Sequence, residues 1–89
     1  MVRFKQSGDV QSSVVGDRVV LFHRRTQKSI VLNPTGASLW NALATPATAA
    51  DLAGCLLAAH AELTPDRAVS DIAAYLEQLS EQELVAVDA

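Results

Sequence analysis

The sequence predicts an α+β fold in which a three-stranded antiparallel sheet is followed by three helices. Three observations carry this reading. The first third of the chain holds alternating and β-branched runs punctuated by Gly8-Asp9 and Gly16-Asp17. The period then changes abruptly inside Ile30-Val-Leu-Asn-Pro-Thr-Gly-Ala-Ser-Leu-Trp40. Beyond that point, residues that cap helix N-termini precede apolar residues at helical spacing.

Taken in order, Val2 and Phe4 alternate with polar neighbours before Gly8-Asp9 interrupts, and Val10 to Val15 extends again up to Gly16-Asp17. Arg18 to His23 is β-branched and aromatic, and Ser29 to Leu32 is a second apolar run. The two form a hairpin looping around Arg25 to Gln27, and sequential pairing leaves Ser29–Leu32 at a sheet edge. Pro34 donates nothing to a ladder and holds Asn33 out of helical geometry, so a helix is expected from Gly36 to about Ala44 with Thr35 as its N-cap. Thr45-Pro46 stops it. Thr48-Ala-Ala-Asp51 matches a capping box that opens a second helix, running to about Ala61. Thr64-Pro65-Asp66 opens a third, with Thr64 as cap, Pro65 in the first position and Asp66 at the positive end of the dipole. The apolar stripe of this helix reads Val69, Ile72, Ala73, Leu76 and Leu79. Leu84 to Val87 fits either a short strand or a packed tail.

Composition narrows the function classes. With 89 residues, 49% of them hydrophobic and 19% charged, the chain suits one folded domain with a modest core, spanning 1–89. A net charge of −3 offers no general attraction to nucleic acid or anionic lipid. One cysteine, Cys55, excludes an internal disulfide and a multi-thiolate metal site, which fits a reducing, cytoplasmic setting. The N-terminal stretch lacks the apolar run of a signal peptide, and no window approaches a membrane span.

Catalytic chemistry finds little to work with. His23 falls in a strand and His60 near a helix end, and neither has a Cys, His or carboxylate at metal-ligand spacing. A solvent-facing or capping role suits both, and no catalytic or metal site is expected. Cys55, among Leu52, Leu56 and Leu57, reads as a small core residue. Trp40 reads as core filler. Gly36 opens a helix after a strand, but capping explains it without a phosphate. Arg24, Arg25 and Lys28 cluster at the hairpin loop, either as a solvated turn or as a guide for an acidic partner. A winged-helix reading would send the third helix into DNA. That helix and its extension carry Asp66, Asp71, Glu77, Glu81 and Glu83 against Arg67 alone, which opposes phosphate.

One surface remains. An edge strand over Ser29–Leu32 exposes unpaired backbone donors and acceptors, which natural proteins usually blunt unless they are used. A second row on the third helix, Ala68, Ile72, Tyr75 and Leu79, widens its apolar face. If that row lies beside the edge strand, the two form a groove suited to an extended peptide adding as a strand; otherwise the row completes the core.

The block Leu32-Asn-Pro-Thr-Gly-Ala-Ser-Leu-Trp40, with Asp51-Leu-Ala53, Asp71-Ile-Ala-Ala-Tyr-Leu-Glu-Gln-Leu79 and Leu84-Val85, resembles the PqqD-like peptide chaperones, also called RiPP recognition elements. The likeness spans roughly residues 10 to 86. It departs at Gln82-Glu83, where the family often has Gly before the final Leu-Val. The resemblance implies a winged-helix-like arrangement with no cofactor and no catalysis. It also implies β-augmentation by the leader region of a ribosomally made precursor peptide, bound between the third strand and the third helix. On that basis Lys28, Ser29, Ile30, Val31 and Leu32 are expected to meet the leader on one side, and Arg67, Ala68, Asp71, Ile72, Tyr75 and Leu79 on the other. The expected second partner is a separate processing enzyme, either a lasso-type leader protease or a radical SAM enzyme. Neither nucleic acid nor membrane is expected to bind. The alternative is a winged-helix nucleic-acid-binding or regulatory module.

Overall fold

A computed structural model describes residues 2–88, so Met1 and Ala89 of the expected 1–89 domain lie outside the described residues. The element order is β1 (Arg3–Gln6), β2 (Val10–Val15), β3 (Arg18–His23), β4 (Ser29–Leu32), α1 (Pro34–Ala42), β5 (Ala47–Thr48), α2 (Ala49–Ala59), α3 (Pro65–Glu81) and β6 (Val85–Asp88). The expected three-stranded antiparallel sheet is β2-β3-β4, with Val10 opposite His23 and Val20 opposite Val31. Its strands are joined by short turns, so each pairs with its neighbour in sequence.

A second small sheet, in the order β5-β1-β6, ties the two ends of the chain together. Arg3 pairs with Thr48 on one side and Asp88 on the other, and Lys5 approaches Asp88 to 3.8 Å. Leu84–Val87 is therefore largely strand rather than tail. The alternation at Val2 and Phe4 marked a strand whose partners lie more than forty residues downstream.

The core lies where α1 packs on β3 and β4 while α2 and α3 pack on each other. Leu21, Leu43 and Leu52 are fully buried and Trp40 nearly so, which confirms Trp40 as core. Ile72, Leu76 and Leu79 of α3 join them, together with Ala68. Here the expected stripe is corrected: Val69 is 60% exposed and Ala73 is exposed, while Ala68 has no exposed surface. The buried face is rotated towards the second row, because α2 and β6 pack against α3 from that side. Cys55 is likewise exposed rather than core, since α2 turns Leu52, Ala53 and Leu56 inward.

The caps explain the helix boundaries. The first helix starts at Pro34 rather than Gly36, and its N-cap is Asn33 rather than Thr35. Pro34 takes the first helical position, where a missing N–H leaves no bond unmade, so the preceding residue becomes the cap. The Gly36 N–H donates to Asn33 Oδ1 at 2.7 Å. The capping box of α2 is present as expected, with the Asp51 N–H donating to Thr48 Oγ1 and the Thr48 N–H donating to Asp51 Oδ2, both at 3.0 Å. These bonds, led by the one from the Thr48 backbone, hold the Asp51 carboxyl below the usual carboxylate range. Helix α2 ends at Ala59, with His60 as its C-cap. Thr64 caps α3 through Oγ1, which accepts from the Arg67 N–H at 3.2 Å.

Helix α3 ends in a Schellman motif. The Leu84 N–H donates to the Leu79 carbonyl at 2.9 Å and the Glu83 N–H to the Ser80 carbonyl at 3.0 Å. This places Glu83 at φ 59°, in the left-handed region that favours glycine. The turn thus keeps the shape a Gly would give it. The Glu83 side chain is held by Arg25, whose Nη2 lies 3.0 Å from Oε1, and this hydrogen bond lowers the Glu83 pKa and raises that of Arg25. Glu83→Gly relieves the backbone and deletes the ion pair. Its melting temperature should therefore gain most over the wild type at about 1 M salt, where exposed pairs are screened. A variant that melts below the wild type at both low and high salt contradicts this account of the turn.

Candidate functional site

Strand β4 is an edge of its sheet. The His23 N–H donates to the Lys28 carbonyl at 2.9 Å to close the hairpin, and Ile30 and Leu32 lie opposite Leu21 and Val19. Antiparallel ladders alternate, so the backbone groups of Ile30 and Leu32 turn towards β3. Those of Ser29 and Val31 turn to the open side. Side-chain directions alternate as well. Leu32 is buried and Ile30 half-buried on the helix side, while Val31 is 59% exposed.

Across from this edge runs α3, and a cleft of about 320 Å³ lies between them. One wall is Ile30, Val31 and Leu32; the other is Asp71, Ile72, Tyr75, Gln78 and Leu79. The floor is formed where α1 and α2 meet, by Gly36, Leu39 and Leu56, and Asn33 and Thr35 form one end. Tyr75 braces the two sides. Its hydroxyl donates to the Gly36 carbonyl at 2.8 Å, and burial pushes its pKa well up, so it stays a phenol. The polar group at the mouth is Asp71, whose Oδ1 is 3.3 Å from Nε of Arg67 one turn earlier.

The expected site residues distribute as follows. Ile30, Val31, Leu32, Asp71, Ile72, Tyr75 and Leu79 come together around the cleft. Ser29 adds only its outward-facing backbone, and Lys28 is exposed at the hairpin end. Arg67 reaches the region through Asp71, and Ala68 is buried in the core. The floor residues Gly36, Leu39 and Leu56 and the wall residue Gln78 were not foreseen. Gln78 follows Tyr75 by three positions and so shares its face, a signal that was available in the sequence.

The basic hairpin loop is largely engaged within the chain. Arg24 Nη2 donates to the Gly8 carbonyl at 2.7 Å, and Arg25 pairs with Glu83. His23 is buried rather than solvent-facing, and it caps the loop: Nδ1 accepts from the Arg25 N–H at 3.2 Å. His60 is half-exposed, with Nδ1 3.8 Å from Glu62. Among the described residues, no three His, Cys, Asp or Glu side chains gather as a metal site. No helix there is long and apolar enough to cross a membrane.

The model of the family described as coenzyme PQQ synthesis protein D (PqqD) matches residues 18–85. The chain belongs to the PqqD family. Two solved structures share the fold of this PqqD-family chain. TbiB1 in complex with the TbiA(beta) leader peptide superposes with a TM-score of 0.85 at 25% identity, covering 96% of this chain and 98% of that one. A lasso peptide synthetase B1 complexed with the leader peptide gives 0.80 at 25% identity, covering 93% and 96%. A search of the curated proteins finds no match.

Tyr75 joins α3 to the start of α1, so removing its hydroxyl loosens the cleft of this PqqD-family protein without emptying it. Tyr75→Phe should lower the unfolding free energy by about 1 kcal/mol, the usual net value of one hydrogen bond, as read from urea unfolding. Unchanged stability in Tyr75→Phe contradicts a bracing role for that bond.

Proposed function

We propose that this chain is a non-catalytic adaptor that binds the leader segment of a ribosomally made precursor peptide by strand addition at β4 and presents it to a separate maturation enzyme. The observation that carries the reading is the unpaired outer edge of β4 facing a cleft of mixed apolar and polar lining against α3, in a chain with the fold of two leader-peptide complexes. Main-chain bonds from Ser29 and Val31 supply affinity, and the pocket at Ile72, Tyr75 and Leu79 selects an apolar leader side chain. Residues 1–89 form one such recognition domain, acting in the cytoplasm.

One of the two leader complexes is of a lasso peptide synthetase B1, so the enzyme we favour is a leader protease rather than a radical SAM enzyme. The adaptor's contribution is effective concentration: peptide and protease meet on one scaffold, and the chemistry belongs to the protease. The alternative, a nucleic-acid module, is opposed by the exposed carboxylates of α3, where Arg67 is already paired with Asp71.

Prolines at adjacent positions test the edge. Val31→Pro removes an outward N–H and leaves the β3–β4 ladder whole, whereas Ile30→Pro removes an inward one. Titrated with a synthetic leader of a candidate precursor that the wild-type protein binds, Val31→Pro should stay folded and bind about fivefold or more weakly, the value of one lost backbone bond. Ile30→Pro should lose stability first. A folded Val31→Pro protein with wild-type leader affinity contradicts strand addition at this edge.

A further inference from the structure

A second cleft, about 360 Å³, opens between α1 and the last turns of α2. Pro34, Ser38 and Leu39 form one side; Cys55, Leu56 and Ala59 form the other. It adjoins the first: Thr35, Leu39 and Leu56 line both, so the two clefts meet around the start of α1. They meet just past Leu32, where Asn33 and Pro34 carry the chain from the strand into the helix.

We propose that the leader does not end its contact at β4, and that residues N-terminal to its paired segment run on into this second cleft and seat an apolar side chain there. This occupant presupposes the leader-binding role proposed above. Direction follows from pairing. Every strand of β2-β3-β4 is antiparallel to its neighbour, and antiparallel pairing is slightly the more stable, so an added peptide runs opposite to β4. Its N-terminal side therefore passes Leu32 towards α1. The chemistry of the cleft selects the occupant: Leu39 and Leu56, 5% and 7% exposed, form an apolar base. Pro34 and Ala59 extend that surface, and the hydroxyls of Thr35 and Ser38 offer bonds to the passing backbone. A Leu, Met or aromatic side chain suits such a site; a charged one loses its hydration against a mostly apolar lining whose imidazole, that of half-exposed His60, already lies beside Glu62. Recognition then rests on two anchors, the paired strand and an upstream apolar residue, which distinguishes a true leader from an arbitrary β-prone peptide.

The single cysteine of the chain stands exposed in this cleft and reports its occupancy in the unmodified protein. The probes are the synthetic leader used above and a version shortened from its N-terminus to the segment that pairs with β4. Maleimide labelling of Cys55 should slow about tenfold or more at saturating full-length leader and stay unchanged with the shortened one. In parallel, Ala59→Trp, which fills the cleft from an exposed position, should weaken the full-length leader about tenfold and leave the shortened one unaffected, as expected for one buried apolar side chain. If both peptides bind and protect β4 while Cys55 labels at the free rate and Ala59→Trp changes neither affinity, the second anchor is refuted and strand addition stands. If neither peptide binds β4, both readings fall together.

Discussion

The joint at Asn33-Pro34 is the constraint on which the rest of the structure depends. Leu32 is buried, Asn33 caps α1 through its side chain, and Pro34 forbids any continuation of the ladder. Strand and helix are thereby fused with no free residue between them. Because α1 cannot swing, the Gly36 carbonyl stands where the Tyr75 hydroxyl reaches it, and α3 is held opposite β4. Gly36 is fitted to this place: a Cβ there would lie 3.3 Å from Asn33 Oδ1 and 3.5 Å from the Leu32 Cβ. A strand edge and a helix are thus kept apart at a distance that leaves a cleft instead of a packed interface.

A cleft of this kind suits capture better than chemistry. Its main-chain wall is indifferent to sequence, and its other wall sets Ile72 and Leu79 among Asp71, Tyr75 and Gln78. Its charged group at the mouth, Asp71, is already satisfied by Arg67. The other end of the cleft is stabilised differently, by the Schellman turn of α3 and the Arg25–Glu83 pair that ties the β3–β4 loop to it. An exposed pair of this type contributes orientation more than stability. Closing both ends of the frame lets the peptide add to a preformed edge, which limits the ordering cost to the peptide itself.

Much of this was legible in the sequence, and what was not has physical reasons. Thr48 with Asp51, and Thr64 with Pro65, announce their helices because caps act within four residues. The hairpin and its open edge follow from short connections and β-branched runs. Asn33 and Thr35 are both good caps, and only the place of Pro34 in the first turn decides between them. Two apolar rows on α3 share Ile72 and Leu79, and their neighbours Ala68 and Val69 differ by one position. Which of them is buried depends on where α2 and β6 lie, which is tertiary information. The same holds for Cys55. The β5-β1-β6 sheet joins Arg3 to Asp88, and a two-residue strand at Ala47–Thr48 has no pattern to read. The floor of the cleft was hidden for a related reason: Leu39 and Leu56 are ordinary core residues until two helices bring them to the base of a cleft.

The most direct measurement is residue-resolved amide hydrogen exchange of the protein with and without saturating leader. Strand addition predicts that the Ser29 and Val31 amides, open in the free protein, become protected in the complex. The Ile30 and Leu32 amides, already bonded to β3, should change little. A saturated complex in which Ser29 and Val31 exchange as fast as in the free protein would contradict the account at its centre.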